Sequence, residues 1–181
     1  MEMIKREETM AIIVDYQERL LPVIENHETL AKRSEILIKG LVAMDIPTII
    51  TQQYTKGLGM SAPFVFEAAG KEEYMEKAEF SSMKDAKIIK AVADLGKKNV
   101  VVCGIEAHIC VLQTCLDLKE QGYQPILVLD CIGSRKRSDW EMTLIRAQQE
   151  GITVTTSESI LFELLGEAGS DTFKTVSKLI K

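Results

Sequence analysis

Histidine is almost missing from this sequence: His27 and His108 are the only two. With four cysteines that form no CxxC pair, the chain lacks the ligand spacings of a dedicated zinc site. The same unpaired cysteines give no disulfide framework and fit reduced thiols in a cytosol. Phosphate-cradling loops are missing as well. There is no GxxxxGK[ST] and no GxGxxG after a strand, and Gly57-Leu58-Gly59 lies in a loop without a clear helix behind it. That weakens a flavodoxin-like nucleotide binder. No apolar run approaches the length of a membrane span, and the start, Met1 to Glu8, is charged, with no signal-peptide core. Basic residues are outnumbered, 22 Lys and Arg against 27 Asp and Glu, for a net charge of −5. This balance argues against nucleic acid and against anionic membrane surfaces as partners. The expectation is a cytoplasmic protein with a small-molecule partner, no cofactor and no metal.

What is present is an alternation of short apolar blocks with helical patterns. Thr9 to Val14, Pro47 to Thr51, Asn99 to Cys103, Pro125 to Leu129 and Ile152 to Thr155 read as strands, with a weakly signalled third strand closing near Glu76 to Phe80. Their continuous apolarity suits strands covered on both faces, as in a parallel sheet. His27 to Met44, Lys84 to Leu95, Ile109 to Glu120, Asp139 to Glu150, Ser157 to Leu165 and Asp171 to Ile180 read as helices. Gln52 to Phe66 reads as a loop, by its glycines and proline. The pattern predicts one domain over residues 1–181, a three-layer α/β fold with right-handed connections.

The stretch from Lys97 to Asp117 holds the candidate nucleophile. Val100-Val101-Val102-Cys103 turns within a few residues into a helical pattern, which places Cys110 near a helix start. Unpaired N–H groups and the helix dipole favour an anion there, and thiols ionise more easily at such positions. A cysteine also packs well as a small hydrophobe, but the carboxyl end of a parallel strand is where open α/β sheets bind ligands. Asp15 and Asp130 each follow an apolar run. Either one could cap a turn, and either could take a proton from a nearby thiol. Lys77, if buried, would stabilise both a thiolate and a carboxylate. His108, two residues from Cys110, would not project toward the sulfur and is not favoured as the base. Arg135-Lys136-Arg137 forms a basic cluster at the same sheet edge, suited to an acidic substrate group or a neighbouring subunit.

Three stretches taken in order resemble the isochorismatase-like cysteine hydrolases: Ile12-Ile13-Val14-Asp15-Tyr16-Gln17, Lys77-Ala78-Glu79-Phe80-Ser81, and Gly104 to Gln113. The likeness runs from about Thr9 to Leu165. Gln53-Tyr54, Lys56-Gly57-Leu58-Gly59 and the IEAHIC wording resemble the subgroup described as isochorismatase domain-containing proteins. The resemblance implies a three-layer α/β/α Rossmann-like fold with a six-stranded parallel sheet in the order 3-2-1-4-5-6. It further implies a Cys110–Asp15–Lys77 triad and a homo-oligomer. A non-proline cis peptide at Ile105–Glu106 is also implied, aiming the N–H groups of Glu106 and Cys110 as an oxyanion hole. Tyr16, Gln17, Gln53, Tyr54, Ile105 and His108 are expected around the substrate.

The departures from the family pattern narrow the chemistry. Gln52-Gln53-Tyr54 stands where metal-dependent nicotinamidases carry an Asp and histidines, so such an activity is not expected. Cleavage of isochorismate, a vinyl ether, needs no thiolate, and Cys110 therefore favours acyl chemistry. Ala107-His108 replaces a Thr-Asp found in many relatives. The reading is a hydrolase of a small amide, carbamoyl or related acyl compound, acting on a C–N bond through a thioester. The alternative is a non-catalytic interaction or scaffold protein with a vestigial site.

Overall fold

A computed structural model describes residues 3–181. Six strands form one sheet: β1 (Thr9–Val14), β2 (Thr48–Gln53), β3 (Met75–Lys77), β4 (Asn99–Ile105), β5 (Gln124–Gly133) and β6 (Thr153–Thr155). They lie in the order β3-β2-β1-β4-β5-β6, and every neighbouring pair is parallel. The helices are α1 (His27–Ala43), α2 (Thr55–Leu58), α3 (Pro63–Ala69), α4 (Ala86–Leu95), α5 (Leu112–Glu120), α6 (Arg137–Gln149), α7 (Ser157–Leu165) and α8 (Asp171–Ile180). A π-helical turn, Ala107–Val111, joins β4 to α5.

The two-residue period of the strands sorts the core. Ala11, Ile13, Val101, Cys103 and Val128 face α1, α3, α7 and α8, where they meet Leu37, Leu41, Val65, Leu161 and Val176. Their chain neighbours Met10, Ile12, Val14, Val100 and Val102 face the other way, onto Ile88, Val92, Cys115, Leu118 and Ala147 of α4, α5 and α6. All six residues of β1 are buried, as its unbroken apolar run requires for a strand covered on both sides. Each large aliphatic buried in this way contributes about 1.5–3 kcal/mol. The β1–β4 pairing is unusually close at its end. A Cβ on Gly104 would lie 2.4 Å from the Val14 carbonyl oxygen.

Two segments differ from the sequence reading. The expected loop from Gln52 to Phe66 contains α2 and the start of α3. Pro63 opens α3 with its φ preset for a helix, and Val65, Ala68 and Ala69 are buried in the core. The fifth strand does not close at Leu129; it runs to Gly133, its register with β4 jumping from Val102↔Leu127 to Gly104↔Ile132. The C-terminal helix has the expected bounds; it buries Val176 fully and stacks Phe173 edge-on against Phe162 at 6.2 Å.

Candidate active site

The carboxyl ends of β1, β2 and β3 bring Asp15, Thr51 and Lys77 together. Thr51 is the register partner of Val14, so the residue after the strand, Asp15, emerges beside it. Asp15 leaves the strand with a left-handed φ of 54°, a conformation that a non-glycine residue adopts at some cost and that clusters at functional sites. Its carboxylate accepts from Thr51 Oγ1 at 2.8 Å and from Lys77 Nζ at 2.6 Å. The ammonium also donates toward Gln53 Oε1 at 2.8 Å, Phe80 O at 3.0 Å and Glu79 O at 3.2 Å. Lys77 and Asp15 are both buried, a setting that only paired and hydrogen-bonded charges tolerate.

Cys110 sits in the π-helical turn after β4; Val14 pairs with Gly104, so this turn and Asp15 leave the sheet side by side. Burial, and then the Asp15 charge, push the thiol up to about 12, against the opposing pull of Lys77. The helix-start argument for an easily ionised thiol is thus overridden: desolvation and a facing anion outweigh the dipole. At neutral pH Cys110 therefore stays a thiol. Cys110 is 5 % exposed, whereas Cys103, Cys115 and Cys131 are at 0 %. Thr114, one turn on, donates to Cys110 O at 2.7 Å and accepts from Ser82 N at 2.9 Å, tying the cysteine turn to the segment after Lys77.

The expected cis peptide at Ile105–Glu106 is corrected by the structure: no cis bond occurs among the described residues. The chain instead turns through left-handed backbone at Glu106, φ 55° and ψ 55°, and then through the π-helical turn. Two expected wall residues are corrected too. Tyr16 points into the core, donating to Cys131 O, sharing a 2.7 Å hydrogen bond with Ser34 Oγ and lying edge-on to Phe64. Ile105 is fully buried in that same core.

Gln17 is fully buried and joins two loops, donating to Gln53 O at 3.0 Å and Gly59 O at 2.8 Å and accepting from Gln53 N at 2.7 Å. Gln53 holds Lys77, and Tyr54 is exposed. His108 Nδ1 lies 3.0 Å from Ser134 Oγ and not on Cys110. Asp130, the other candidate aspartate, lies within β5 and accepts from Ser157 N at 2.7 Å and Ser157 Oγ at 2.6 Å. It holds the start of α7 and takes no part in the thiol's surroundings.

Sequence reasoning missed Thr51, Thr114 and the pairing of Arg135 Nε with Glu106 Oε1 at 2.9 Å. Thr51 carries a legible signal, as a polar residue at the end of the strand next to β1. The pairing with Arg135 has none, because the two residues come from different strand ends. A cleft of about 260 Å³ opens one strand further along, lined by Arg33, Asp130, Ser134, Arg137 and Trp140 among others. Among the described residues, no three His, Cys, Asp or Glu side chains gather as a metal site would require.

The fold and these side chains define an α/β protein with a thiol, a carboxylate and an ammonium at the carboxyl edge of its sheet. The model of the isochorismatase domain matches residues 9–159, and the chain belongs to that family of hydrolases. Isochorismatase domain-containing protein 1 of Salmo salar is 36% identical over 174 residues, covering 96% of this chain and 61% of its own length. The chain thus spans less than two thirds of that relative. A solved structure described as MAR1 ribonuclease from Caenorhabditis elegans is 34% identical, with a TM-score of 0.91 over 99% of this chain and 92% of the other. YcaC of Escherichia coli, described as an octameric hydrolase of unknown specificity, shares the fold at 20% identity, with a TM-score of 0.93 over 99% and 90%.

Proposed function

We propose that the protein is a cysteine hydrolase of small amide, carbamoyl or related acyl compounds, working through Cys110, Asp15 and Lys77. The observation that carries this reading is the buried Lys77–Asp15 pair at the strand end beside the turn that bears Cys110. Asp15 takes the Sγ proton as sulfur attacks the carbonyl carbon. The resulting oxyanion is received by the N–H groups of Glu106 and Cys110. Collapse breaks the C–N bond, and the leaving amine takes the proton from Asp15, leaving a thioester on Cys110. Water then attacks the thioester with its proton passing to Asp15, the acid departs, and sulfur regains a proton. Lys77 keeps Asp15 in place. Gln53 positions Lys77, while Tyr54 and His108 form the rim.

The test pairs labelling with turnover. Iodoacetamide should modify Cys110 faster than Cys103, Cys115 and Cys131, and Cys110→Ala should abolish hydrolysis across an amide panel. Equal labelling of all four thiols, or full activity in Cys110→Ala, refutes the reading. A binding function that survives Cys110→Ala, without turnover in the parent, would favour a scaffold.

The ribonuclease name of the 34% identical relative motivates a second reading, with Arg135-Lys136-Arg137 as the basic feature nearest the site. Two of these residues are already engaged, Arg135 with Glu106 and Arg137 with Glu141 at 2.8 Å, which favours the acyl substrate. RNA cleavage lost in Cys110→Ala would reverse that preference. We further propose a homo-oligomer, because Val23, Phe80 and Met142 leave more than half of their surface exposed, and a cytoplasmic location, which suits four free thiols. Sedimentation as a monomer at micromolar concentration would exclude the assembly.

A further inference from the structure

Glu106 lies four residues before the nucleophile and is 7 % exposed. Its two carboxylate oxygens are treated differently. Oε1 is held by Arg135 Nε at 2.9 Å. Oε2 is buried and has no hydrogen-bond partner. The nearest cation-forming group, His108 Nδ1, is 3.8 Å away, beyond hydrogen-bond length, and is engaged with Ser134 Oγ at 3.0 Å. A buried acceptor left unmade is costly, more so when it is charged. Glu106 caps the π-helical turn that contains Cys110, so the orphaned oxygen belongs to the same turn as the nucleophile.

We propose that Glu106 is the specificity-determining residue of this site, with Oε2 receiving an N–H of the substrate's primary amide or carbamoyl group. The assignment rests on the acyl-hydrolase reading above and narrows its substrate class. A primary amide supplies the missing donor. An ester, or an amide without N–H, supplies none and leaves the carboxylate unpaired. A substrate with a carboxylate near the scissile bond meets repulsion from Glu106 as well as from Asp15. Arg135 fixes the carboxylate by its other oxygen, so the acceptor is oriented before the substrate arrives.

The test compares two alkylating agents at Cys110, iodoacetamide and methyl iodoacetate. In each reaction the Sγ–C bond forms, the C–I bond breaks, iodide leaves and the thiol proton passes to Asp15 and then to solvent. Only the amide carries N–H groups. The rate ratio of amide to ester at Cys110, read by peptide mass spectrometry, is divided by the same ratio for glutathione. In the parent protein this normalised preference should be about tenfold, the value of one modest hydrogen bond to a charged group. In Glu106→Gln and Glu106→Ala it should fall to about one, and Asp130→Ala, outside the thiol's surroundings, should retain it. Should Glu106→Ala fail to fold, the nearly isosteric Glu106→Gln still gives the ratio. A parent preference of one, or a tenfold preference kept in Glu106→Gln, overturns the assignment while leaving the thiol chemistry intact. No labelling of Cys110 by either agent would sink the hydrolase reading together with it.

Discussion

Lys77 Nζ lies 2.6 Å from Asp15 Oδ2, with the two side chains 0% and 1% exposed. Such a pair is held by geometry and by the further hydrogen bonds to its members, since desolvation offsets much of the attraction. Here Thr51 on one side, and Gln53, Glu79 and Phe80 on the other, complete the set.

Lys77→Met should therefore destabilise the fold by about 3–5 kcal/mol, because it strands a buried carboxylate. The double variant with Asp15→Asn should recover part of that loss. Urea denaturation of both variants gives the comparison, and strict additivity would argue against the pair acting as a unit.

Asp15→Asn should move two readouts in opposite directions. Removing the anion that opposes ionisation lowers the Cys110 pKa from its value of about 12, so alkylation should become fast at a lower pH than in the parent. Hydrolysis should vanish, because the proton acceptor is gone. An alkylation profile that does not move would mean that Asp15 does not face the thiol.

Stability should decline on the alkaline side. Cys103 and Cys110 are raised from an ordinary 9.0 to about 12, chiefly by burial, and burial raises Cys115 and Cys131 as well. The unfolded chain begins to lose these protons near 9 while the folded chain keeps them. The stabilisation is full below pH 9 and falls as pH rises toward 12. Urea midpoints at pH 8 and pH 10 should differ clearly, and a flat profile would contradict the burial of these thiols.

Gln17→Ala should act on stability. The side chain makes three hydrogen bonds to backbone groups of the Gln53 and Gly59 segments, and leaving those groups unpaired should cost about 3 kcal/mol. Should the variant keep its melting temperature and raise KM alone, Gln17 would belong to the substrate wall after all.

The two candidate aspartates, Asp15 and Asp130, should separate. Asp130→Ala removes the acceptor for Ser157 N and Oγ and should cost about 1–2 kcal/mol, the loss expected at a helix start. The rate of Cys110 alkylation should be unchanged. A slowed alkylation would connect Asp130 to the site.

Neighbouring residues in the chain were enough to order the six strands and the longer helices and to suggest the family, though not to find α2 and α3. Period-two and helical spacing are set by residues close together in the chain, so β1, α7 and α8 could be read directly, and the motifs around Asp15, Lys77 and Cys110 carried the resemblance. Tertiary structure alone decided where side chains point once the chain leaves that regularity. At Asp15 the left-handed φ breaks the strand's alternation, which sends Tyr16 into the core and Gln17 between two loops. At Glu106 a second left-handed residue, and not a cis bond, makes the turn. The state of Cys110 was likewise beyond local reading, because a helix start favours the thiolate whereas burial and Asp15 favour the thiol. Desolvation depends on everything packed around an atom, and no short stretch of sequence contains that sum.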